Sequence, residues 1–136
     1  MRLAAAILAL SLLAPSAAAA DPPKPKKPTL TLRVLPRFGR VATSFLFTAI
    51  LEGGEDSEAL HCLVAEWNFG SDDTSLAEPD CDPFEAGKTK LERQYGIERR
   101  FPSEGQKTVS VTLRKGDKVI ARASTGLRVL PESGLR

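Results

Sequence analysis

Apolar side chains recur at every second position over most of this chain, and that period restricts the folds open to it. Leu30, Leu32 and Val34 alternate with Thr29, Thr31 and Arg33 until Pro36 ends the run. Phe45, Phe47, Ala49 and Leu51 form a second run, with Leu46, Thr48 and Ile50 on its other side. A third, from about Cys62 to Phe69, puts Ala65, Trp67 and Phe69 on one side. Val109, Val111 and Leu113 alternate with Ser110, Thr112 and Arg114. Lys115-Gly116-Asp117 then turns the chain, and Val119, Ala121, Ala123, Thr125, Leu127 and Val129 keep the same period. Successive strand side chains point to opposite faces, so these runs are half-buried strands, and the last two predict a hairpin. No stretch after residue 20 sustains the 3.6-residue period of an amphipathic helix. The expected fold is therefore an all-β sandwich of about seven strands, with Phe45, Phe47, Trp67, Val109, Val111, Val119 and Leu127 in its core.

Residues 70–100 interrupt the rhythm. Gly70-Ser71-Asp72-Asp73 predicts a turn, and Leu76 to Gly87 is acidic, proline-bearing and irregular. Leu91 to Phe101 alternates weakly through Leu91, Arg93, Tyr95 and Ile97, as a strand would. One long irregular insertion is expected here.

The N-terminus carries a second pattern. Arg2 precedes a 12-residue apolar run from Leu3 to Ala14, Pro15-Ser16 breaks it, and Ala17 to Ala20 supply small residues for signal peptidase. That is the pattern of a cleaved secretory signal over residues 1–20, and the run is short for a membrane span. Intact-mass analysis of exported protein should show Asp21 as the first residue; retention of Met1 would contradict cleavage. The only cysteines are Cys62 and Cys81, so no lipid-modified cysteine follows the signal, and a secreted or periplasmic location is expected. Residues 21–28 hold four prolines and three lysines, a composition that favours an extended, solvated leader. The domain itself is expected over 29–131, with a short tail at 132–136 and no membrane span in the mature chain.

Charge excludes one class of partner. The chain carries a net charge of +2, and cleavage after Ala20 removes Arg2 and leaves +1. The leader contributes +2 of that, so the remainder is near −1. A near-neutral domain without a basic stripe in its sequence is a poor ligand for phosphate backbones, and no nucleic-acid partner is expected.

Trp67-Asn68-Phe69-Gly70-Ser71-Asp72 resembles the Trp-Asp-Phe-Gly-Asp-Gly turn of the polycystic kidney disease (PKD) domain family. Phe45 to Ala49 resembles that family's second strand, Gly105 with Thr108 to Leu113 its Gly-x-Tyr-x-Val-x-Leu strand, and Ala123 to Val129 its last. The likeness spans residues 29–131. Asn68 replaces the usual Asp, Ser71-Asp72 replaces Asp-Gly, Lys107 stands where an aromatic is usual, and the segment after Gly70 is longer. An Asn side chain still accepts a local backbone hydrogen bond, so the turn chemistry survives. The resemblance implies an immunoglobulin-like sandwich used as a spacer or as a module that binds proteins or polysaccharides, without catalysis.

The side-chain inventory agrees with that implication. His61 is the only histidine, and no nucleophile elbow surrounds Ser57. Two cysteines and one histidine do not make a four-ligand zinc site. The acidic stretch, with Asp72, Asp73, Asp80 and Asp82, is the one candidate for calcium, although its spacing is not that of an EF-hand and nearby lysines and arginines compete for the same carboxylates. No cofactor is expected. Export and an even count of two predict a Cys62–Cys81 disulfide that pins the acidic loop, in preference to free redox-active thiols, for which no Cys-x-x-Cys pair is present. Leu46 and Ile50, opposite the core face of their strand, and Phe84 and Tyr95, in the irregular segment, are the candidate contact residues. The function expected from sequence is a monomeric, non-catalytic extracytoplasmic binding or adaptor module for an envelope or extracellular protein or glycan. The alternative is a structural spacer of the cell envelope.

Overall fold

The computed structural model describes residues 27–132. The predicted signal segment, most of the leader and the last four residues lie outside the described residues. Among the described residues there are eight strands: β1 (Thr29–Leu35), β2 (Phe38–Arg40), β3 (Ser44–Glu52), β4 (Val64–Asn68), β5 (Thr74–Ala77), β6 (Gln94–Arg100), β7 (Gly105–Lys115) and β8 (Lys118–Leu130). A single 3₁₀ turn, Glu58–Leu60, follows β3. The strands form a three-stranded sheet, β1-β3-β6, and a five-stranded sheet, β2-β8-β7-β4-β5. All neighbours are antiparallel except β2 and β8, which run parallel. The sequence expectation of about seven strands omitted β2 and β5. Both are short edge strands with one alternation or two, too few to carry a periodic signal.

The core is the set of inward positions that the period marked. Phe45, Phe47, Ala49 and Leu51 of β3 share the core with Ala65 and Trp67 of β4, with Phe69 just after β4, and with Val109, Val111, Leu113, Leu127 and Val129. Phe47, Phe69 and Phe101 meet edge-to-face at ring separations of 5.8 to 6.4 Å, the geometry that aromatic quadrupoles favour. Trp67 is 1% exposed and lies parallel to the Phe69 ring.

Val119 does not join this core. The β7–β8 ladder shifts register between Leu113 and Arg114, so that Leu113 faces Ala121 while Arg114 faces Val119. The extra residue, Ile120, packs against the core in place of Val119. A β-bulge changes the parity of a strand, and a strict period of two carried back from Leu127 through the bulge assigns the wrong face.

Two hairpin turns explain the local sequence. Gly116-Asp117 is a two-residue loop in which Gly116 takes φ +58°, the first position of a turn matched to strand twist. Between β4 and β5, Ser71 and Asp72 take φ values of 39° and 63°, and the Asp73 amide donates to the Gly70 carbonyl at 2.9 Å. Both central residues being left-handed is the pattern of a type I′ hairpin.

The bend from β1 into β2 carries chain from one sheet to the other, and Gly39 sits where that edge closes on the core. A Cβ at Gly39 would lie 2.9 Å from Thr43 Cγ2 and 3.1 Å from the buried ring of Phe45. Thr43 is β-branched and stiff, so neither neighbour yields easily. Gly39→Ala is expected to lower stability by about 1–3 kcal/mol by overpacking, measured by urea unfolding. An unchanged midpoint would show that the edge strand moves freely.

Candidate functional site

The long segment between β5 and β6 is anchored from several sides. Cys62, just before β4, bonds to Cys81, with 5.9 Å between Cα atoms and a sequence separation of 19. His61 Nε2 donates to the Asp82 carbonyl at 2.7 Å, which fixes the tautomer protonated at that nitrogen. The His61 ring also rests against Phe84, with centroids 5.6 Å apart. Behind them Lys115 Nζ donates to the His61 carbonyl at 2.6 Å and ties the hairpin end of β7 to the same point. Further along, the Thr89 hydroxyl accepts from the Glu85 amide at 2.8 Å and the Thr89 amide donates to the Glu85 carbonyl at 2.9 Å, closing a compact turn. Arg93 then reaches back to the Gly53 carbonyl and the Asp56 carboxylate, which fastens the start of β6.

These anchors enclose a cleft of about 680 Å³ at one end of the sandwich. It is lined by the disulfide and Leu63, by Asp82, Glu85 and Glu92, by Lys88 and Lys90, and by Tyr95. Lining charges of both signs, a histidine and a phenol make it a polar recess, unlike the mainly apolar pockets that hold drug-like molecules.

Tyr95 belongs to both core and cleft. Its ring packs against the buried cluster, and its hydroxyl donates to the Glu92 carbonyl at 3.1 Å. Burial pushes its phenol up to about 12; the Glu92 charge adds to the shift and the Arg93 charge opposes it. The folded pKa is thus above the ordinary value of about 10, so the protonated phenol favours the fold. That contribution is complete below pH ~10 and is lost as pH rises toward about 12. Tyr95 is the only tyrosine, so phenolate absorbance reads it directly. The midpoint should lie near 12 in native protein and near the ordinary value in urea; equal midpoints would mean a solvated ring.

The other sequence candidates separate. Leu46 is 49% exposed and Ile50 half-buried on the outer face of the three-stranded sheet, where Leu46 pairs with Leu35 and Glu98 and Ile50 with Thr31 and Gln94. Tyr95 lines the cleft, whereas Phe84 rests on the His61 ring without lining it; both are half-buried, and the four residues do not form one surface. The acidic candidates also scatter. Asp73 pairs with Arg99, and no group of three or more His, Cys, Asp or Glu side chains converges on a metal position among the described residues. Charge neutralisation by the following arginines, which the sequence allowed, is what Asp73 finds.

The turn motif is organised around the core. Asn68 Oδ1 accepts from the Gly70 amide at 2.8 Å, the capping bond that an Asn in place of Asp was expected to keep. The Phe69 amide donates to the Asp73 carbonyl at 2.8 Å. Arg99 of β6 lies over the Phe69 ring at 4.6 Å while pairing with Asp73, so one side chain closes the aromatic core and fastens the turn across the two sheets. Sequence reasoning missed this role for Arg99 and the anchoring role of His61. Both depend on partners distant in sequence, and nothing in the local pattern marks them.

No protein-family model matches the chain, and no curated protein is significantly similar to it. Among solved structures it is similar to the CARDB domain of the PF1109 protein from Pyrococcus furiosus. The crystal structure of that domain in complex with di-metal ions superposes with a TM-score of 0.50 at 13% identity, covering 79% of this chain and 96% of that one. Its solution NMR structure gives 0.50 at 10% identity, covering 76% and 94%. At that identity the likeness concerns the fold alone. Two packed sheets, the order of their strands and these neighbours together make the described domain an immunoglobulin-like β-sandwich.

Proposed function

We propose that the chain is a non-catalytic extracytoplasmic binding module, of PKD type within the immunoglobulin-like class, that engages an envelope or extracellular protein or polysaccharide. The observation that carries this reading is the cleft walled by a loop held at its disulfide, at His61 and at Arg93. A loop already ordered before contact loses less conformational entropy when a ligand arrives, which is how a small polar recess gains affinity. Its hydrogen-bonding and charged lining suits a hydroxylated or charged ligand. The PKD assignment is supported by the Trp67–Gly70 turn, whose Asn68 bond reproduces the family's turn chemistry. The similar CARDB structure is a complex with di-metal ions; among the described residues of this chain no three His, Cys, Asp or Glu side chains converge, and metal is not part of the proposal.

The test is capture from envelope extracts and on a polysaccharide array. Lys88→Glu with Lys90→Glu should reduce capture, while Leu46→Lys with Ile50→Lys, on the outer sheet face, should leave it intact. Capture that survives the first pair and disappears with the second would move the binding surface to the sheet. Absence of any capture by wild-type protein would favour the spacer alternative.

A further inference from the structure

Charge is divided unevenly along the chain. Residues 55–92 hold eleven acidic side chains against two basic, whereas the remaining positions of 29–132 hold twelve basic against five acidic. The sheet order sets the later part of this segment beyond one edge of the molecule, while Glu55 lies beside Pro28 and Lys118 and Glu66 pairs with Arg114. The acidic segment contains β5, one edge of the five-stranded sheet, and β2 is the opposite edge.

At the β2 side, the bend from β1 into β2 exposes large apolar groups. Leu35 is 70% exposed and Phe38 67%, on either side of Pro36-Arg37, and the exposed Leu46 pairs with Leu35 in the ladder. Three of the four exposed large apolar side chains of the described residues therefore flank one bend, Leu35 and Leu46 on the outer face of the three-stranded sheet and Phe38 on the outer face of the five-stranded sheet. Arginines surround them. Arg33 is two positions before Leu35 on the same face, Arg37 lies within the bend, Arg128 is the ladder partner of Phe38, Arg40 follows on β2, and Arg100 pairs with Ser44 two positions from Leu46. None of these five arginines joins a salt bridge among the described residues. The carboxylates nearest in the register are Glu98, held by the Ser44 hydroxyl, and Glu104 and Glu132 just beyond the paired ends of β7 and β8.

We propose that this edge is a peripheral docking surface for an anionic lipid bilayer. Phe38 and Leu35 project from a bend between two sheets, and none of the four principal clefts has Leu35, Phe38 or Leu46 in its wall. A projecting edge offers little flat area for the roughly 800 Å² that a stable protein interface takes from each partner, whereas a bilayer deforms around a wedge. Exposed apolar groups enter the boundary between headgroups and acyl chains, and arginines around them meet lipid phosphates through bidentate hydrogen bonds. The acidic opposite edge is repelled by the same surface, so the charge division orients the molecule with the β1–β2 bend toward the lipid. A basic rim alone would serve a soluble acidic protein equally well. The apolar crest favours the bilayer.

The experiment is sedimentation of the purified protein with vesicles of phosphatidylcholine alone and of phosphatidylcholine mixed with phosphatidylglycerol. Binding is expected to the mixed vesicles only, and to weaken with salt. Leu35→Ser with Phe38→Ser should lower the partition coefficient about tenfold or more, and Arg37→Gln or Arg128→Gln about fivefold each. Leu76→Ser, exposed on the opposite edge strand, should change nothing. The lysines of the leader also attract anionic vesicles, but their effect is independent of Phe38. Phe38→Trp provides a second readout that needs no loss of binding: its emission should shift to the blue on mixed vesicles and be quenched by brominated lipid. Failure to bind mixed vesicles at low salt, or binding unchanged by the Leu35/Phe38 pair, would overturn the proposal. So would an indole at position 38 that brominated lipid does not quench, or preferential capture of a soluble acidic protein by this edge.

Discussion

Truncating Trp67 to alanine should lower the stability of the domain by about 3–5 kcal/mol, the largest loss expected from any single side chain discussed for this fold. The side chain is 1% exposed, pairs across the ladder with Val111 and lies parallel to the Phe69 ring. Removing a buried aromatic of this size loses its transfer free energy and leaves a cavity, together about 3–5 kcal/mol. A domain of this length has roughly 5–15 kcal/mol of stability in total, so the loss is a large share of it. Urea unfolding followed by far-ultraviolet circular dichroism measures the change. A midpoint equal to that of the wild-type protein would mean that the indole is solvent-facing, where its ring could stack on a sugar.

The second large effect belongs to the disulfide. Cys62 and Cys81 close a loop of 18 intervening residues, and in the chain-entropy picture such a bridge destabilises the unfolded state enough to add about 3 kcal/mol. Replacing both with serine should lower the unfolding midpoint accordingly. It should also release residues 79–92 to faster hydrogen exchange well before the sheets exchange, because the remaining anchors of that segment are single hydrogen bonds and the half-buried Phe84 contact. If thiol labelling of denatured, unreduced protein from the envelope found two reactive cysteines, the bridge would be absent in the protein as the cell makes it. The cleft would then lose its fixed wall.

What the sequence disclosed and what it concealed divide along a physical line. Long strands repeat their alternation often enough to announce themselves. β3, β7 and the end of β8 were legible for that reason, as were the burial of Trp67 and the Asn68 turn bond. β2 has three residues and β5 four, so neither has a period to read, and both exist because a neighbouring strand offers unpaired backbone groups. Val119 failed as a core residue because one inserted residue at the β7–β8 bulge reverses the faces beyond it. The cleft was the least legible part. Its disulfide followed from compartment and parity, but His61 and Arg93 act there through Asp82, Gly53 and Asp56, contacts that no local pattern records. Leu46 and Ile50 were placed on the correct face of β3, yet that face is remote from Phe84 and Tyr95 once β6 pairs alongside.

The tethered cleft as the ligand-contacting end is the centre of the functional account, and site-specific photo-crosslinking tests it most directly. A photoreactive amino acid placed at Lys88, which lines the cleft, is compared with one at Thr74, an exposed position of β5 that does not line it. Exposed to the envelope of cells that export the protein, position 88 should yield one discrete adduct, and position 74 none. The same adduct from both positions, or adducts from position 74 alone, would contradict a binding site at the disulfide-held loop.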